Sequence, residues 1–278
     1  MKTRILSGAV GLSVIIIILF YYYTMVLNAA MAAVIVMAVY ELLLATKYTS
    51  NSRVLAFTAL AFSAAVPFFR TPYFNLASKT ACFAFVAVLF LIMLVKNGKI
   101  RLEQMGLVFL IATVIPFGFS SVLYIQDIFG RNGSLFFIVL IFVTSWSADI
   151  GAYFIGTFFG KHKLIPSISP KKTVEGAIGG VVFCVGVSLL WGYIYSSRYQ
   201  NVQIHYVWLA IVSLVLSVIS MFGDLSASLI KRTCNIKDFG TIIPGHGGVL
   251  DRFDSVLFVA PALYLVVSTF PAAIAQFT

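Results

Sequence analysis

Charged residues and cysteines are scarce in this sequence. Of the 278 residues, 10% are charged and nine are acidic, whereas 61% are hydrophobic and the mean hydropathy is +1.02. Apolar runs of about 17 to 25 residues recur along the whole chain, which excludes an ordinary soluble fold. The three cysteines, Cys82, Cys184 and Cys234, form no C-x-x-C pair. Structural disulfides, zinc binding and thiol redox chemistry are therefore not expected.

Several common catalytic signatures are also missing. The sequence contains no GxxxxGK phosphate loop followed by Ser or Thr, no G-x-G-x-x-G after a strand, no HExxH and no G-x-S-x-G. Any phosphate or hydrolytic chemistry must therefore be built from other residues.

About nine apolar stretches are long enough to cross a membrane, so the predicted fold class is all-α, a polytopic transmembrane helical protein. The spans lie near residues 5–22, 26–46, 54–69, 80–95, 105–125, 135–160, 176–196, 206–230 and 252–272. The first follows Lys2 and Arg4 and is interpreted as an uncleaved helix. Connections on one side carry about 15 of the 19 Lys and Arg residues, which predicts a cytoplasmic N-terminus and an external C-terminus.

Polar chemistry is concentrated in the second half of the chain. We expect residues 1–130 to form N-terminal transmembrane helices, a scaffold for dimer or lipid contacts. Residues 131–278 are expected to form the catalytic transmembrane half, with cytoplasmic loops 161–175 and 231–251, on the side where nucleotides are found. The net charge of +10 is explained by the concentration of Lys and Arg on one side of the membrane, so nucleic acid is not an expected partner.

The segment Ser228–Asp254, SLIKRTCNIKDFGTIIPGHGGVLDRFD, is the most informative part of the sequence. It places cations, carboxylates, His246 and a Gly-His-Gly-Gly turn between two apolar runs. The charged residues are Lys231, Arg232, Lys237, Asp238, Asp251, Arg252 and Asp254. Cations suit phosphate, carboxylates suit a hard metal ion, and glycines let backbone N–H groups approach an anion. The pattern predicts a site for phosphate chemistry.

Two aspartates, Asp149 and Asp224, lie inside apolar spans. A carboxylate at such a depth costs several kcal/mol unless it is paired, protonated or metal-bound, so both are functional candidates. Asp224, Ser228 and Lys231 recur at i, i+4 and i+7 and share one helix face, which leads into the charged segment.

A second such face, formed by Asp251, Asp254 and Ser255, begins the ninth span. Two helices joined by one polar segment can present Asp224 and Asp251 to a divalent cation, with positions left for water or phosphate oxygens. The alternatives are a helix-packing role for Asp149 and Asp224 and compensation of the helix macrodipole by Asp251 and Asp254.

The segment Phe158–Gly180, FFGKHKLIPSISPKKTVEGAIGG, is a second polar cluster. Lysines bind phosphate as point charges, and hydroxyl groups add donors. The residues of these types are Lys161, Lys163, Lys171, Lys172, Ser167, Ser169 and Thr173. The alternative is a positive-inside loop that contacts anionic lipid headgroups. Gly176, Gly179 and Gly180 are expected to allow close helix packing.

The segment 228–254 resembles the signature of the phosphatidate cytidylyltransferase family, also called CDP-diacylglycerol synthase. That signature reads S-x-hydrophobic-K-R, four residues, K-D, a small residue, then P-x-H-G-G-hydrophobic-x-D-R-hydrophobic-D. The matching positions are Ser228, Lys231, Arg232, Lys237, Asp238, Gly240, Pro244, His246, Gly247, Gly248, Asp251, Arg252 and Asp254. The upstream segment DIGAYFIGTFFGKHKLIPSISPKKTVEGAIGG also resembles the family, whereas residues 1 to about 130 do so only in being hydrophobic.

The resemblance implies a magnesium-dependent enzyme of phospholipid biosynthesis in a prokaryotic cytoplasmic (inner) membrane, with its active site facing the cytoplasm. The phosphate of phosphatidic acid would attack the α-phosphorus of CTP, yielding CDP-diacylglycerol and pyrophosphate. The implied partners are CTP, phosphatidic acid and membrane lipid; the implied cofactor is Mg²⁺, with room for a second cation. The implied assembly is a homodimer.

The family signature and the residue chemistry together suggest a role for each candidate. We expect catalytic roles for Asp224, Asp251, Lys231, Arg232 and Lys237. We expect substrate binding by Lys171, Lys172, Thr173, Ser228, His246, Gly247, Gly248 and Arg252. The expected metal ligands are Asp224 and Asp251, with Asp254 and Asp149 in supporting or second-metal roles.

Two other functions fit parts of the pattern. A CTP-dependent lipid kinase of the polyprenol or phytol type would transfer the γ-phosphate to an alcohol and would need a base. An ion-coupled transporter would carry polar residues on both sides of the membrane. The segment 228–254 has no clearly placed base and the polar chemistry is one-sided, so the motif favours cytidylyl transfer.

Overall fold

The computed structural model describes residues 2–47, 53–69, 74–97 and 99–277, most of which are helical. The helices are α1 (Lys2–Phe20), α2 (Met25–Thr46), α3 (Arg53–Ala65), α4 (Phe74–Val95), α5 (Leu102–Phe159), α6 (Val174–Arg198), α7 (Tyr206–Thr233), α8 (Leu250–Phe253) and α9 (Val256–Thr269), with a 3₁₀ turn at Val66–Phe68. The strands β1 (Lys163–Ile165), β2 (Ser169–Thr173), β3 (Val202–Ile204) and β4 (Ala275–Phe277) form two antiparallel pairs.

Six helical segments of the described residues are long and apolar enough to cross a membrane. They are Met25–Thr46, Leu76–Val95, Leu102–Arg131, Gly133–Phe159, Val174–Arg198 and Tyr206–Thr233. They coincide with six of the predicted spans and support the predicted class, an all-α polytopic membrane protein. The other three predicted spans correspond to α1 and to the shorter apolar helices Arg53–Phe68 and Val256–Thr269. Nine crossings therefore stay a prediction.

Helix α5 consists of two helices joined at a break. Gly130 has φ 60° and ψ −155°, a conformation that glycine adopts at little steric cost. The break lies near the junction of two segments, α5a (Leu102–Arg131) and α5b (Gly133–Phe159), each long enough for one span. The two predicted spans of this region are thus separate helices without a long loop between them.

The chain forms two compact units. Unit 1 contains Met1–Tyr124 and Cys234–Phe253, and unit 2 contains Ile125–Thr233 and Asp254–Thr278. The first division lies near the predicted boundary after residue 130. The segment Cys234–Phe253 belongs to unit 1 together with helices from the start of the chain. The predicted division into a scaffold (residues 1–130) and a catalytic half (residues 131–278) stays a prediction.

In unit 1, consecutive helices pack against each other, α1 on α2, α2 on α3 and α3 on α4. Helix α2 also contacts the short helix α8. The unit has an apolar core that includes Ile35, Leu55 and Ile111, all nearly inaccessible. The contact between α2 and α8 brings the later segment of unit 1 against a membrane-length helix.

In unit 2, α6 packs against α7 and α7 packs against α9. Helix α6 also approaches α5b closely, because three of its glycines face that helix. A Cβ atom added at Gly176 or Gly180 would lie 2.7 or 2.6 Å from a main-chain oxygen of α5b, and one at Gly179 would overlap the Ile155 side chain. The predicted packing role of these glycines is confirmed.

The two strand pairs lie at opposite ends of α6. The β1–β2 hairpin, in which Lys163 pairs with Thr173, leads directly into the helix. Strand β3 follows the other end and pairs with the C-terminal strand β4. Because α6 has 25 residues, about 37 Å separate its ends. The lysine-rich hairpin and the C-terminal strand therefore lie at opposite ends of unit 2.

The substitution Gly180→Ala should destabilise the protein, because the new methyl group would meet main chain that cannot move aside. We expect a loss of about 1–3 kcal/mol, measured as a lower midpoint of thermal unfolding in detergent. Gly186→Ala on the same helix is the matched control, since a Cβ atom there meets nothing within 4 Å. The control should be neutral or gain up to about 1 kcal/mol. Equal midpoints would contradict the close packing of α5b and α6.

Candidate active site

A cavity of about 540 Å³ opens within unit 2. Its wall is built from α5b, the β1–β2 hairpin, the start of α6 and the middle of α7. The polar lining includes Asp149, Lys163, Lys171, Lys172, Thr173, Ser217 and Asp224. Five of these, the two aspartates with Lys171, Lys172 and Thr173, are predicted site residues. The fold brings them together from three separate parts of the sequence.

An ion pair between Lys172 and Asp224 lies at this cavity. The Lys172 Nζ atom contacts Asp224 Oδ2, and the two side chains are 22% and 25% exposed. Lys172 comes near the end of β2, just before the chain turns into α6, and Asp224 lies within α7. Lys172 also interacts electrostatically with Asp149. The pair compensates a carboxylate that would be costly alone within an apolar helix.

Three carboxylates of unit 2 are electrostatic neighbours. Asp254, which is buried, interacts with Asp224, Asp149 and the cation Lys231. Its Oδ1 atom accepts a hydrogen bond from Ser255 N at 2.7 Å. The Ser255 Oγ atom lies 3.5 Å from Asp149 Oδ2 and 3.2 Å from a main-chain oxygen of α7. The structure thus places Asp149 and Asp254, which were predicted in supporting roles, near Asp224.

The donors of this cluster fit a hard cation that is bound by few protein ligands. Among the described residues, no group of three or more His, Cys, Asp and Glu side chains is arranged to hold a metal ion. Mg²⁺ usually takes one or two carboxylates, and water and substrate phosphates complete its octahedron. Asp224 together with Asp149 or Asp254 supplies that number of carboxylates.

Glu175 and Thr173 fix the lysine-rich hairpin. The Glu175 Oε2 atom accepts hydrogen bonds from Lys161 N at 3.0 Å and His162 N at 3.2 Å, and Oε1 lies 2.6 Å from His162 Nδ1. The Thr173 hydroxyl caps α6 by accepting a hydrogen bond from Gly176 N at 3.1 Å. Thr173 therefore has a clear structural role at the cavity wall, and its contact with substrate stays a prediction.

The end of α7 carries three more predicted residues. Arg232 Nε donates a hydrogen bond to Ile168 O at 3.3 Å and ties the helix to the hairpin. Lys231 interacts with Asp254. Ser228 lies one turn after Asp224 on the same helix and is partly exposed. These residues extend the polar cluster from the cavity along α7.

The Gly-His-Gly-Gly loop belongs to unit 1, and Asp251 holds its backbone. Asp251 Oδ2 accepts hydrogen bonds from Phe239 N at 2.8 Å and Gly248 N at 3.0 Å. Gly247 has a φ of +88°, and a Cβ atom there would lie 3.1 Å from Asp251 Oδ2. These glycines thus let the backbone approach a carboxylate of the chain itself. The pairing of Asp251 with Asp224 and the phosphate contacts of both glycines stay predictions.

Two further residues of this loop are tied to their surroundings. The Ser7 Oγ atom lies 2.9 Å from His246 Nδ1, and Arg252 Nε donates a hydrogen bond to His246 O at 2.8 Å. Arg252 and Lys237 are exposed. The imidazole of His246 thus has a partner on α1, and its substrate contact stays a prediction.

Glu41 is a residue that the sequence interpretation missed. Its side chain is buried in α2, and its two oxygens accept hydrogen bonds from Val249 N and Leu250 N, both at 2.9 Å. The signal is present in the sequence, because Glu41 is the only charged residue in the predicted span 26–46. An acid within an apolar span is a functional candidate, as Asp149 and Asp224 are, because its charge is costly there without a partner.

Known proteins resemble this chain over most of its length. Residues 2–270 match the model of the "Cytidylyltransferase family". The phosphatidate cytidylyltransferase of Bacillus subtilis (strain 168) is 40% identical over 190 residues, which is 68% of each chain. Those of Staphylococcus epidermidis and Staphylococcus aureus (strain COL) are 38% and 39% identical over 169 and 170 residues, or 61% of this chain and 62% of each relative.

The family match contains both the cavity residues of unit 2 and the Gly-His-Gly-Gly loop of unit 1. It confirms, over nearly the whole chain, the resemblance carried by segment 228–254. On this match, the chain belongs to the cytidylyltransferase family.

Proposed function

We propose that this protein is a phosphatidate cytidylyltransferase, which converts CTP and phosphatidic acid to CDP-diacylglycerol and pyrophosphate. The observation that carries the proposal is the cavity where Lys171 and Lys172 meet Asp149 and Asp224. The names of the relatives support the choice of substrate. A lipid substrate also suits a cavity whose walls include helices long enough to cross a membrane.

The proposed reaction needs no nucleophile from the protein. An oxygen of the phosphatidic acid phosphate forms a bond to the α-phosphorus of CTP. The bond from that phosphorus to the bridging oxygen of the β-phosphate breaks, and pyrophosphate leaves with the electron pair. A phosphomonoester is already ionised near neutral pH, so no side-chain base is required. The tasks left to the protein are to bring two anions together and to stabilise the charge of the leaving group.

Lys171 and Lys172 are suited to these tasks. Lysine is a flexible point charge with three donors, so Lys172 can exchange its ion pair with Asp224 for a phosphate oxygen. Lys171 is exposed at the same cavity and belongs to the same strand. We assign both residues to phosphate binding, with Lys231, Arg232 and Lys237 as further cations.

We propose Mg²⁺ as the cofactor, with Asp224 and its neighbours Asp149 and Asp254 as the residues that hold it. A bound magnesium ion would supply neutralisation of phosphate charge as a Lewis acid. The protein positions these carboxylates through Lys172 and the Ser255 amide. The metal-ligand role of Asp251 that the sequence suggests stays a prediction.

We also propose nine membrane crossings, a cytoplasmic N-terminus and an active site that faces the cytoplasm, in a bacterial inner membrane. The distribution of Lys and Arg supports this orientation. So does the separation of the lysine-rich hairpin from β4 at the two ends of unit 2. The homodimer implied by the family resemblance stays a prediction.

The distribution of phosphate label from CTP between lipid and soluble products distinguishes cytidylyl transfer from CTP-dependent phosphorylation. With purified protein and phosphatidic acid, label in the α-phosphate of CTP should enter the lipid, and γ-label should leave as pyrophosphate. A kinase gives the opposite partition, with CDP as the soluble product. Thin-layer separation of the lipid products measures both labels, and γ-label in the lipid would refute the proposed reaction.

The substitution Asp224→Asn should reduce turnover by more than about tenfold, a barrier increase above about 1.4 kcal/mol. The reason is that it removes the charge that Lys172 compensates and that the proposed ion requires. Asp127→Asn is the matched control, because Asp127 lies outside the cavity lining and should retain full activity. Turnover is measured as CDP-diacylglycerol formed per minute. An active Asp224→Asn variant would remove Asp224 from the catalytic site.

Single cysteines test the orientation. On a background without native cysteines, a cysteine at Lys171 should react with an impermeant maleimide only from the cytoplasmic face. A cysteine at Gln276, in β4 at the other end of unit 2, should react only from outside. Reaction of both from one face would disprove the proposed topology.

A further inference from the structure

Glu41 holds a turn of the main chain just before Asp251 and Arg252. Its two carboxylate oxygens bind the consecutive amides of Val249 and Leu250, each at 2.9 Å. The side chain is only 1% exposed, although it is the sole charge in its span. Burial of a carboxylate in an apolar helix is costly unless its oxygens are hydrogen-bonded. The two amides provide these bonds, and the carboxylate in turn holds the two amides in position.

Two glycines make room for this carboxylate. A Cβ atom at Gly248 would lie 2.5 Å from Glu41 Oε2, and one at Gly240 would overlap the same carboxylate. Three points of the loop, at residues 240, 248 and 249–250, therefore converge on one side chain. The main chain of the loop is in close contact with the Glu41 side chain. A side chain of different shape at position 41 would require the loop backbone to shift.

Asp251 completes the arrangement. Its Oδ2 atom binds the amides of Phe239 and Gly248, so two carboxylates together hold four amides of the loop. Glu41 and Asp251 are also electrostatic neighbours. The position of Asp251 thus depends on a main chain that Glu41 fixes from the other side.

We propose that Glu41 is a positioning residue for the reaction. Its carboxylate binds the amides of Val249 and Leu250, packs closely against Gly240 and Gly248, and thereby places Asp251 and Arg252 for their roles. This inference rests on the proposed function for its effect on turnover, whereas its effect on the loop is independent of the reaction.

The contact requires a carboxylate rather than a side chain of the same shape. Two adjacent N–H donors need two acceptors, and glutamine has one acceptor oxygen and one amide that would face an N–H group. Aspartate keeps both acceptors but is shorter by one methylene. If Glu41 acts through these bonds, Glu41→Asp should be more active than Glu41→Gln. If it acts by filling space, the order should be reversed.

The test compares Glu41→Gln and Glu41→Asp with Glu103→Gln, in full-length protein purified in detergent. Glu103 is an exposed residue paired with Arg101, so its variant should behave as wild type. We expect Glu41→Gln to lower kcat about 10²-fold, the cost of a small misplacement of reacting groups. The KM for CTP should rise by a smaller factor than kcat falls, because Arg252 and the glycines of the loosened segment are expected to bind substrate, whereas Lys171 and Lys172 at the cavity lie outside that segment. Aspartate should restore part of kcat.

Amide hydrogen exchange without substrate gives the second readout. In Glu41→Gln, peptides covering residues 239–252 should exchange faster, whereas peptides covering 206–233 should be unchanged. Unchanged exchange at 239–252, or a glutamine variant as active as the aspartate variant, would overturn the inference. Faster exchange throughout the chain would also overturn it, because Glu41 would then stabilise the whole fold. Should wild type fail to form CDP-diacylglycerol, the proposed function fails, while exchange still decides whether Glu41 holds the loop.

Discussion

The compensation of carboxylates in apolar surroundings governs the organisation of this protein. An uncompensated charge in a membrane helix costs several kcal/mol, so each such acid must have a partner. Glu41 uses two backbone amides, Asp224 uses Lys172, and Asp254 uses the amide of Ser255. These partners leave the carboxylates with different capacities to interact with a ligand. Both oxygens of Glu41 are committed to main chain that stays in place, whereas the partner of Asp224 is a flexible cation that a phosphate can attract.

Close helix packing gives the cavity its form. The glycines of α6 allow the main chains of α6 and α5b to approach each other, and Gly176 and Gly180 also line the cavity. The same small residues therefore serve packing and leave room for a ligand beside Asp149. Because α6 begins directly after the hairpin, this packing also determines where Lys172 can reach.

Much of the fold was predictable from hydropathy, because membrane helices must satisfy their backbone internally and be about 20 residues long. Asp149 and Asp224 were likewise predictable as site residues from their depth within apolar spans, and they share a cavity with Lys172. The assignment of Cys234–Phe253 to unit 1 was not predictable, since it depends on long-range packing that leaves no periodic signal. Glu41 was missed for a different reason: its partners are amides of Val249 and Leu250, and backbone donors carry no side-chain signature.

A glycine-rich loop beside cations is typical of phosphate binding, since its amides can surround an anion. Here the amides of Phe239, Gly248, Val249 and Leu250 surround carboxylates of the chain itself. An internal anion of this kind does not exclude a ligand role for Asp251, because a carboxylate offers about four acceptor sites. The amides of a glycine-rich loop can therefore bind either a phosphate ligand or a carboxylate of the same chain. In this protein the sequence feature that indicates the second use is Glu41, an isolated acid in a distant apolar helix.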